Sequence, residues 1–236
     1  MKIGVMQPYL FPYIGYWQLL YAVDKYVILD DVNYITRGYI NRNNILINGQ
    51  PNRFTIPISR PSQNRLILDT KLNFGLNEKK KFLDKIKFSY QKAPFFSDAY
   101  KLIEDIVMNN TNDLTDYIAF SIEVIKQYLE IDTPIYKSSL IEKNPEFKNQ
   151  DKIIAICKSL GGDTYINPSN GRALYSHEKF DNESLKLFFL DAMMNKIKYK
   201  QFDNDFVNYL SIIDVLMFND VPQIQKYLTM YELNEK

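Results

Sequence analysis

A chain of 236 residues with 46% hydrophobic and 24% charged side chains is long enough for one large domain with a real core. Its formal net charge of +1 supplies no global field for nucleic acid or an acidic membrane surface, and a single cysteine excludes an intrachain disulfide framework or a thiolate zinc site. The 18 Tyr and 15 Phe belong to a composition rich in Lys, Asn and Ile, so clusters of aromatics carry meaning where single ones do not.

Lys2–Met6 is a short apolar run that stops at Gln7-Pro8 and predicts a buried strand. Pro8 and Pro12 forbid regular structure through the aromatic loop Tyr9-Leu10-Phe11-Pro12-Tyr13, and Gly15 marks a close backbone approach where a helix begins. Trp17, Leu19, Leu20 and Val23 supply that helix's buried face. A second strand, Tyr26 to Leu29, delivers Asp30 and Asp31 to the same edge as Gln7. The β-loop-α-β unit so formed places ligands beyond the carboxyl ends of its strands.

The connection from Asn33 to Asn44 holds Arg37, Asn41, Arg42 and Asn43, side chains suited to a phosphate or a sugar hydroxyl; as plain turn formers the asparagines would do no more than shape a loop. Asn44–Asn48 and Arg53–Ile58 predict a hairpin turning through Gly49-Gln50-Pro51-Asn52, with Pro57 at an edge and Leu66–Leu68 as a further short strand. From 77 to 130 the period becomes helical in three amphipathic runs, a helical insertion or subdomain within a single α/β domain spanning 1–236. After Thr133-Pro134 the β/α rhythm returns: Ile135–Lys137 ends in Ser138-Ser139, a helix follows over 152–160, and Thr164–Ile166 ends in Asn167-Pro168-Ser169-Asn170-Gly171. Leu185–Leu190 predicts a strand, Tyr209–Phe218 a buried helix, and Val221-Pro222 the start of a last one. Cys157 lies on an apolar helix face as a small buried hydrophobe; His177 lies in a polar stretch. No segment has the makeup of a signal peptide or the apolar length of a membrane span, which predicts a cytoplasmic protein.

Several blocks carry a family resemblance. Met6-Gln7-Pro8-Tyr9-Leu10-Phe11-Pro12-Tyr13-Ile14-Gly15-Tyr16-Trp17, Asp30-Asp31-Val32 with Arg37-Gly38 and Asn41-Arg42-Asn43, Ala93-Pro94-Phe95-Phe96, Tyr165-Ile166-Asn167-Pro168 and Leu210-Ser211-Ile212-Ile213-Asp214 together resemble the WbqC-like protein family. The resemblance implies a bacterial protein of O-antigen and surface-polysaccharide biosynthesis, with a transfer of acyl or aminoacyl type onto a nucleotide-linked amino sugar. Where a Gly-Gly pair is expected this chain has Asn170-Gly171, and Asn tolerates the left-handed turn. A weaker similarity is to nucleotidylyltransferase and pantothenate-synthetase folds, which implies a parallel-sheet, Rossmann-like core. Tyr13-Ile14-Gly15-Tyr16 stands where those enzymes open a helix with His-x-Gly-His, so the charge-stabilising imidazoles are replaced by neutral phenols.

On these grounds Asp30 or Asp31 is the expected general base, with Tyr16 beside it. Arg37 and Arg42 would grip phosphate, Gln7, Pro8, Asn41, Asn43, Ser138, Asn167, Asn170 and Gly171 would line the substrate, and Tyr9, Tyr13 and Gly15 would stack on it or let it approach. The expected partners are a sugar nucleotide or activated acyl donor and other enzymes of the pathway. The residues leave open whether a nucleotide serves as cofactor, and they specify no metal. An Asp30–Asp31 pair could hold Mg2+, but neighbours on a strand face opposite ways, which favours one active Asp. Competing readings are a non-catalytic sugar-nucleotide binder or scaffold of the same pathway, a nucleotidyltransferase-like enzyme with an altered motif, and a structural ion-pair network of Asp30, Arg37 and Arg42.

Overall fold

In the computed structural model, which describes residues 1–235, the chain opens with β1 (Lys2–Met6), α1 (Ile14–Ala22) and β2 (Lys25–Ile28). A separate antiparallel hairpin follows, β3 (Arg42–Ile47) and β4 (Gln50–Thr55), and then three helices, α2 (Leu76–Tyr90), α3 (Phe96–Val107) and α4 (Leu114–Tyr128). The rhythm resumes with β5 (Ile135–Lys137), α5 (Asn149–Ser159), β6 (Thr164–Pro168), α6 (His177–Asn182) and β7 (Lys186–Ala192). Two helices, α7 (Ile212–Phe218) and α8 (Val221–Leu228), and a last strand, β8 (Tyr231–Asn234), complete it.

The sheet order is β5-β2-β1-β6-β7-β8, parallel except for β8. Counted by the parallel strands alone this is 3-2-1-4-5, the doubly wound order, and its direction reverses between β1 and β6. The fold is therefore the expected α/β class with a mainly parallel sheet, a hairpin and a helical segment between β4 and β5.

Alternation along the strands separates two apolar layers. Tyr26, Ile28, Ile166 and Leu190 pack with α1–α4, α7 and α8, whereas Ile3, Val5, Val27, Tyr165, Leu187 and Phe189 pack with α5 and α6. Cys157 is fully enclosed in the second layer, where burial pushes its thiol up to about 12. Among the described residues no helix is long and apolar enough to cross a membrane.

Local chemistry moved some boundaries. The hairpin turns at Asn48-Gly49, both left-handed (φ 50° and 73°), two residues before the expected turn, because this pair supplies the two positive-φ positions of the tightest hairpin loop. Leu66–Leu68 forms no strand: Leu66 bridges Asn33 in isolation, and the Ile67 and Leu68 amides donate to Val32 O (2.9 Å) and Asp30 O (3.0 Å). The final buried helix starts at Ile212, after Ser211 caps it by accepting from the Ile213 amide, so Tyr209 stays outside with φ 58°. β8 has no strong apolar alternation and was not expected; pairing with β7 makes it a strand.

Asp214, fully buried in the first turn of α7, accepts hydrogen bonds from Tyr90 Oη (2.9 Å), Tyr199 Oη (2.7 Å) and Gln201 Nε2 (2.7 Å). Tyr90 Oη in turn accepts from the Leu46 amide at 2.8 Å, so one carboxylate joins the hairpin, α2, α7 and the 199–207 loop. Desolvation raises its pKa to about 6, against the three donors, which pull it down. A carboxyl whose folded pKa lies above its unfolded value of 3.8 favours folding most when protonated. Its contribution, about 3 kcal/mol, is complete below the unfolded value and is lost as pH rises through about 6. Asp214→Asn should flatten this part of the stability–pH profile between pH 4 and 7, read by urea unfolding. Asp214→Ala, which strands three buried donors, should cost about 3 kcal/mol at neutral pH.

Candidate functional site: a tyrosine-lined cleft at the switch point

The β1–α1 loop is bent by a left-handed Phe11 (φ 47°), a conformation uncommon outside glycine. Two carbonyls hold the bend. Phe11 O accepts from Asn43 Nδ2 (2.8 Å) and Ser211 Oγ (2.7 Å), and Pro12 O accepts from Trp17 Nε1 (3.2 Å) and the Ile212 amide (3.0 Å). The Leu10 amide donates to Ile40 O at 3.0 Å, which draws the loop against the 33–41 segment.

Over this framework lies a cleft of about 310 Å³, a volume suited to a small ligand. Met6 and Pro168, at the carboxyl ends of β1 and β6, put it at the switch point. Its walls are Tyr9, Tyr13, Tyr16, Tyr39 and Tyr209 with Pro12, and Asn43 and Asn170 supply amides. Tyr9 stands 5.8 Å from Tyr16 and 6.2 Å from Tyr39 between ring centres, and Tyr13 faces Tyr209 at 6.1 Å. A second lobe of about 260 Å³ shares Tyr13, Pro168, Asn170 and Tyr209 and adds Gly15, Ser169, Asp191 and Met194.

Burial, reinforced by neighbouring phenols, raises the pKa of Tyr9 and Tyr13, and burial raises that of Tyr16. These rings therefore stay neutral at physiological pH. Tyr16 Oη donates to Gln7 O at 3.2 Å, which ties the helix start to the end of β1. Gly15 has a steric role: a Cβ there would stand 2.5 Å from the Tyr13 ring, so the glycine seats that ring against the helix.

Of the residues named from sequence, Tyr9, Tyr13, Gly15, Tyr16, Asn43 and Asn170 line the two lobes. Gln7, Pro8, Asn41, Asn167 and Gly171 belong to the surrounding framework. Asn41 accepts from Tyr34 Oη and donates to Ile56 O; Asn167 accepts from Tyr165 Oη and donates to Pro168 O. Gly171 is needed because a Cβ would collide with Asn167 Nδ2. The left-handed turn expected at Asn170-Gly171 is absent, since neither residue has a positive φ and a 3-10 turn runs over Ser169–Leu174.

The two acids lie outside the cleft lining. Asp30, buried, accepts from the Ser139 amide (2.9 Å) and Ser139 Oγ (2.6 Å). Asp31 accepts from Ser138 Oγ (2.6 Å) and pairs with Lys143 (3.0 Å) and Lys152 (3.2 Å). Burial works to raise the Asp31 carboxyl, but Ser138 and the two lysines outweigh it and hold it below the usual range. Both carboxylates are thus engaged by the segment that follows β5, Asp30 by Ser139 and Asp31 by Ser138 and two lysines. Arg37 stands exposed in a left-handed turn (φ 64°), and Arg42 Nε donates to Gly38 O at 2.6 Å. Neither arginine pairs with Asp30 among the described residues, so the ion-pair network considered from sequence does not form.

A WbqC-like family profile matches residues 7–226. The chain belongs to the WbqC-like protein family. An uncharacterized protein of Mycobacterium tuberculosis, Rv1507c, is similar to it at 24% identity over 228 residues, covering 96% of this chain and 97% of the relative. No solved structure matches significantly. In this family member the lining residues missed from sequence include the apolar or backbone walls Met6, Pro12, Pro168, Ser169 and Met194 as well as Tyr39, Tyr209 and Asp191. The Ser211-x-x-Asp214 spacing is a helix-start signature that would have left Tyr209 in the loop, and Asp191 ends an apolar strand much as Asn167 does.

Asp30→Ala should destabilise the protein by about 2 kcal/mol, on the order of 5 °C in Tm, by leaving the Ser139 amide unpaired. Gly15→Ala should leave Tm within about 2 °C, since the Tyr13 ring can swing outward, yet weaken ligand binding by displacing a cleft wall. Thermal melts with and without ligand check both.

Proposed function

We propose that the chain is a cytoplasmic transferase of bacterial surface-polysaccharide biosynthesis that modifies a nucleotide-linked amino sugar by acyl or aminoacyl transfer. The observation that carries this reading is the cleft's position: an aromatic, amide-bearing pocket at the switch point of a doubly wound sheet, where such folds bind ligands. Phenol rings give flat faces for a sugar or base, and Asn43 and Asn170 offer both donors and acceptors for hydroxyl and amide groups. Arg42, bonded to the carbonyl next to Tyr39, would meet phosphate at the rim, and Arg37 lies on the same connection.

In the transfer the sugar amine, having released its proton to water, attacks the carbonyl of an activated donor. The carrier departs with the bonding electron pair, the nitrogen gives its remaining surplus proton to the departing carrier or to water, and an amide forms. The protein's part is to align amine and carbonyl and exclude water, since it supplies no imidazole at Tyr13 and Tyr16. A second reading, a sugar-nucleotide binder or scaffold for other enzymes of the pathway, draws on one observation: Asp30 and Asp31 are both committed to serines and lysines.

Incubation with amino-sugar nucleotides and acyl or aminoacyl donors, followed by mass spectrometry, separates the two. A mass gain equal to the acyl group supports the transferase; stabilisation in thermal shift without turnover supports the binder, and neither response removes both. Tyr39→Ala and Tyr209→Ala should cut kcat/KM at least about tenfold with little change in Tm, as each truncates a largely exposed ring (54% and 61%).

A further inference from the structure

The net charge of +1 conceals an uneven distribution. Residues 32–68 contain five arginines (Arg37, Arg42, Arg53, Arg60 and Arg65) and no Asp, Glu or Lys, whereas the rest of the chain carries 24 basic against 28 acidic side chains. None of the five pairs with a carboxylate among the described residues.

The fold gathers them on one continuous surface. Arg42 lies opposite Thr55 and Arg53 opposite Asn44, so the two arginines are diagonal neighbours on the outer face of the hairpin, whose inner face buries Asn43 and Phe54. Arg42 Nε reaches Gly38 O, beside Arg37. Tyr34 ties in the other two: its Oη donates to Asn41 Oδ1 next to Arg42, and its amide donates to Arg65 O at 2.8 Å. Arg65 Nη1 in turn donates to Ser59 O at 3.4 Å, beside Arg60.

Exposed apolar side chains collect at the same end. Ile35 and Tyr39, each half exposed, flank Arg37 in its left-handed turn, and Tyr39 is also a wall of the cleft. Leu140 and Leu174, the most exposed large apolar side chains among the described residues (81% and 68%), follow β5 and β6 at the carboxyl edge of the sheet, where the cleft opens. Guanidinium groups match phosphate through a planar fork, and tyrosine and aliphatic tips are at home in a bilayer interface. Nucleic acid would call for flat rings on which bases stack, in place of Ile35, Leu140 and Leu174.

We propose that this end of the molecule docks on an anionic bilayer, with the arginine surface against headgroup phosphates, Ile35 and Leu140 in the interface, and the cleft mouth turned to the lipid. The proposal goes beyond the reading of the cleft as a transferase site and does not depend on it.

Sedimentation of the full chain with phosphatidylcholine vesicles, with and without phosphatidylglycerol, provides the test. Partitioning should be about tenfold stronger onto the anionic vesicles and should fall as salt shortens the reach of the arginines. Arg53→Gln with Arg60→Gln should weaken it about tenfold, and Ile35→Ser with Leu140→Ser by a similar factor. All four side chains are solvent-facing or nearly so, and thermal melts should place both double variants within about 2 °C of the parent.

Equal partitioning onto the two kinds of vesicle, no partitioning onto either, or binding that survives either double substitution intact would overturn the proposal. So would tighter binding to oligouridylate than to the anionic vesicles, which would assign the arginines to nucleic acid. Vesicle binding by a chain that transfers no acyl group leaves the docking surface and removes the transferase; transfer by a chain that ignores vesicles does the reverse.

Discussion

Two carbonyl oxygens, those of Phe11 and Pro12, hold the molecule's working end together. A left-handed phenylalanine costs about 1 kcal/mol and persists only where its surroundings over-determine it. Here four donors from β3, the Ser211 cap, the α7 start and α1 converge on two adjacent peptide groups. Each donor belongs to a segment that also shapes the cleft: Asn43 lines it, Ser211 follows Tyr209 by two residues, and Trp17 follows Tyr16. Fixing the loop therefore fixes the walls, and the cleft exists before any ligand arrives.

Asp214 secures the other side of this arrangement. A buried carboxylate is costly unless its lone pairs are filled, and Tyr90, Tyr199 and Gln201 fill them. Because Gln201 also pairs with the backbone of Val207 in both directions, the loop leading to Tyr209 is tied to the core through the same acid. The three donors meet only part of the cost of burying this charge, as the raised pKa shows, while they hold to the core a loop that has no regular structure of its own.

The acids at the end of β2 do related work at the sheet edge. β5 pairs with β2 over only three residues, a short contact for a parallel edge. Asp30 with Ser139 and Asp31 with Ser138 continue the attachment past the end of the ladder, and Lys143 and Lys152 neutralise the charge. A strand-end carboxylate in a Rossmann-like sheet is thus ambiguous in sequence: it can meet a ligand or fasten a neighbour. Asp191 is ambiguous in the same way, and only its cavity-lining position sets it apart.

What the sequence by itself determined is local or periodic. Apolar runs, helical spacing, the prolines and the cap residues specify most strands and helices, because backbone conformation and the burial of one face are written within a few neighbours. The family motifs likewise lie in contiguous blocks, and the convergence of Gln7, Asp30-Asp31 and Asn167 on one edge follows once the strands are parallel. Tertiary structure alone decided which of those polar ends face a cavity. Tyr39 and Tyr209 are 170 positions apart in numbering, and only the folding of the 33–41 loop and the α7 approach onto one another's neighbours brings them to a single cleft. Asp30 and Asp31 turned to serines and lysines more than 100 residues away, a pairing that no local pattern encodes. Side-chain direction at a strand end is set by whichever donor or ring packs nearest, and that neighbour comes from elsewhere in the chain.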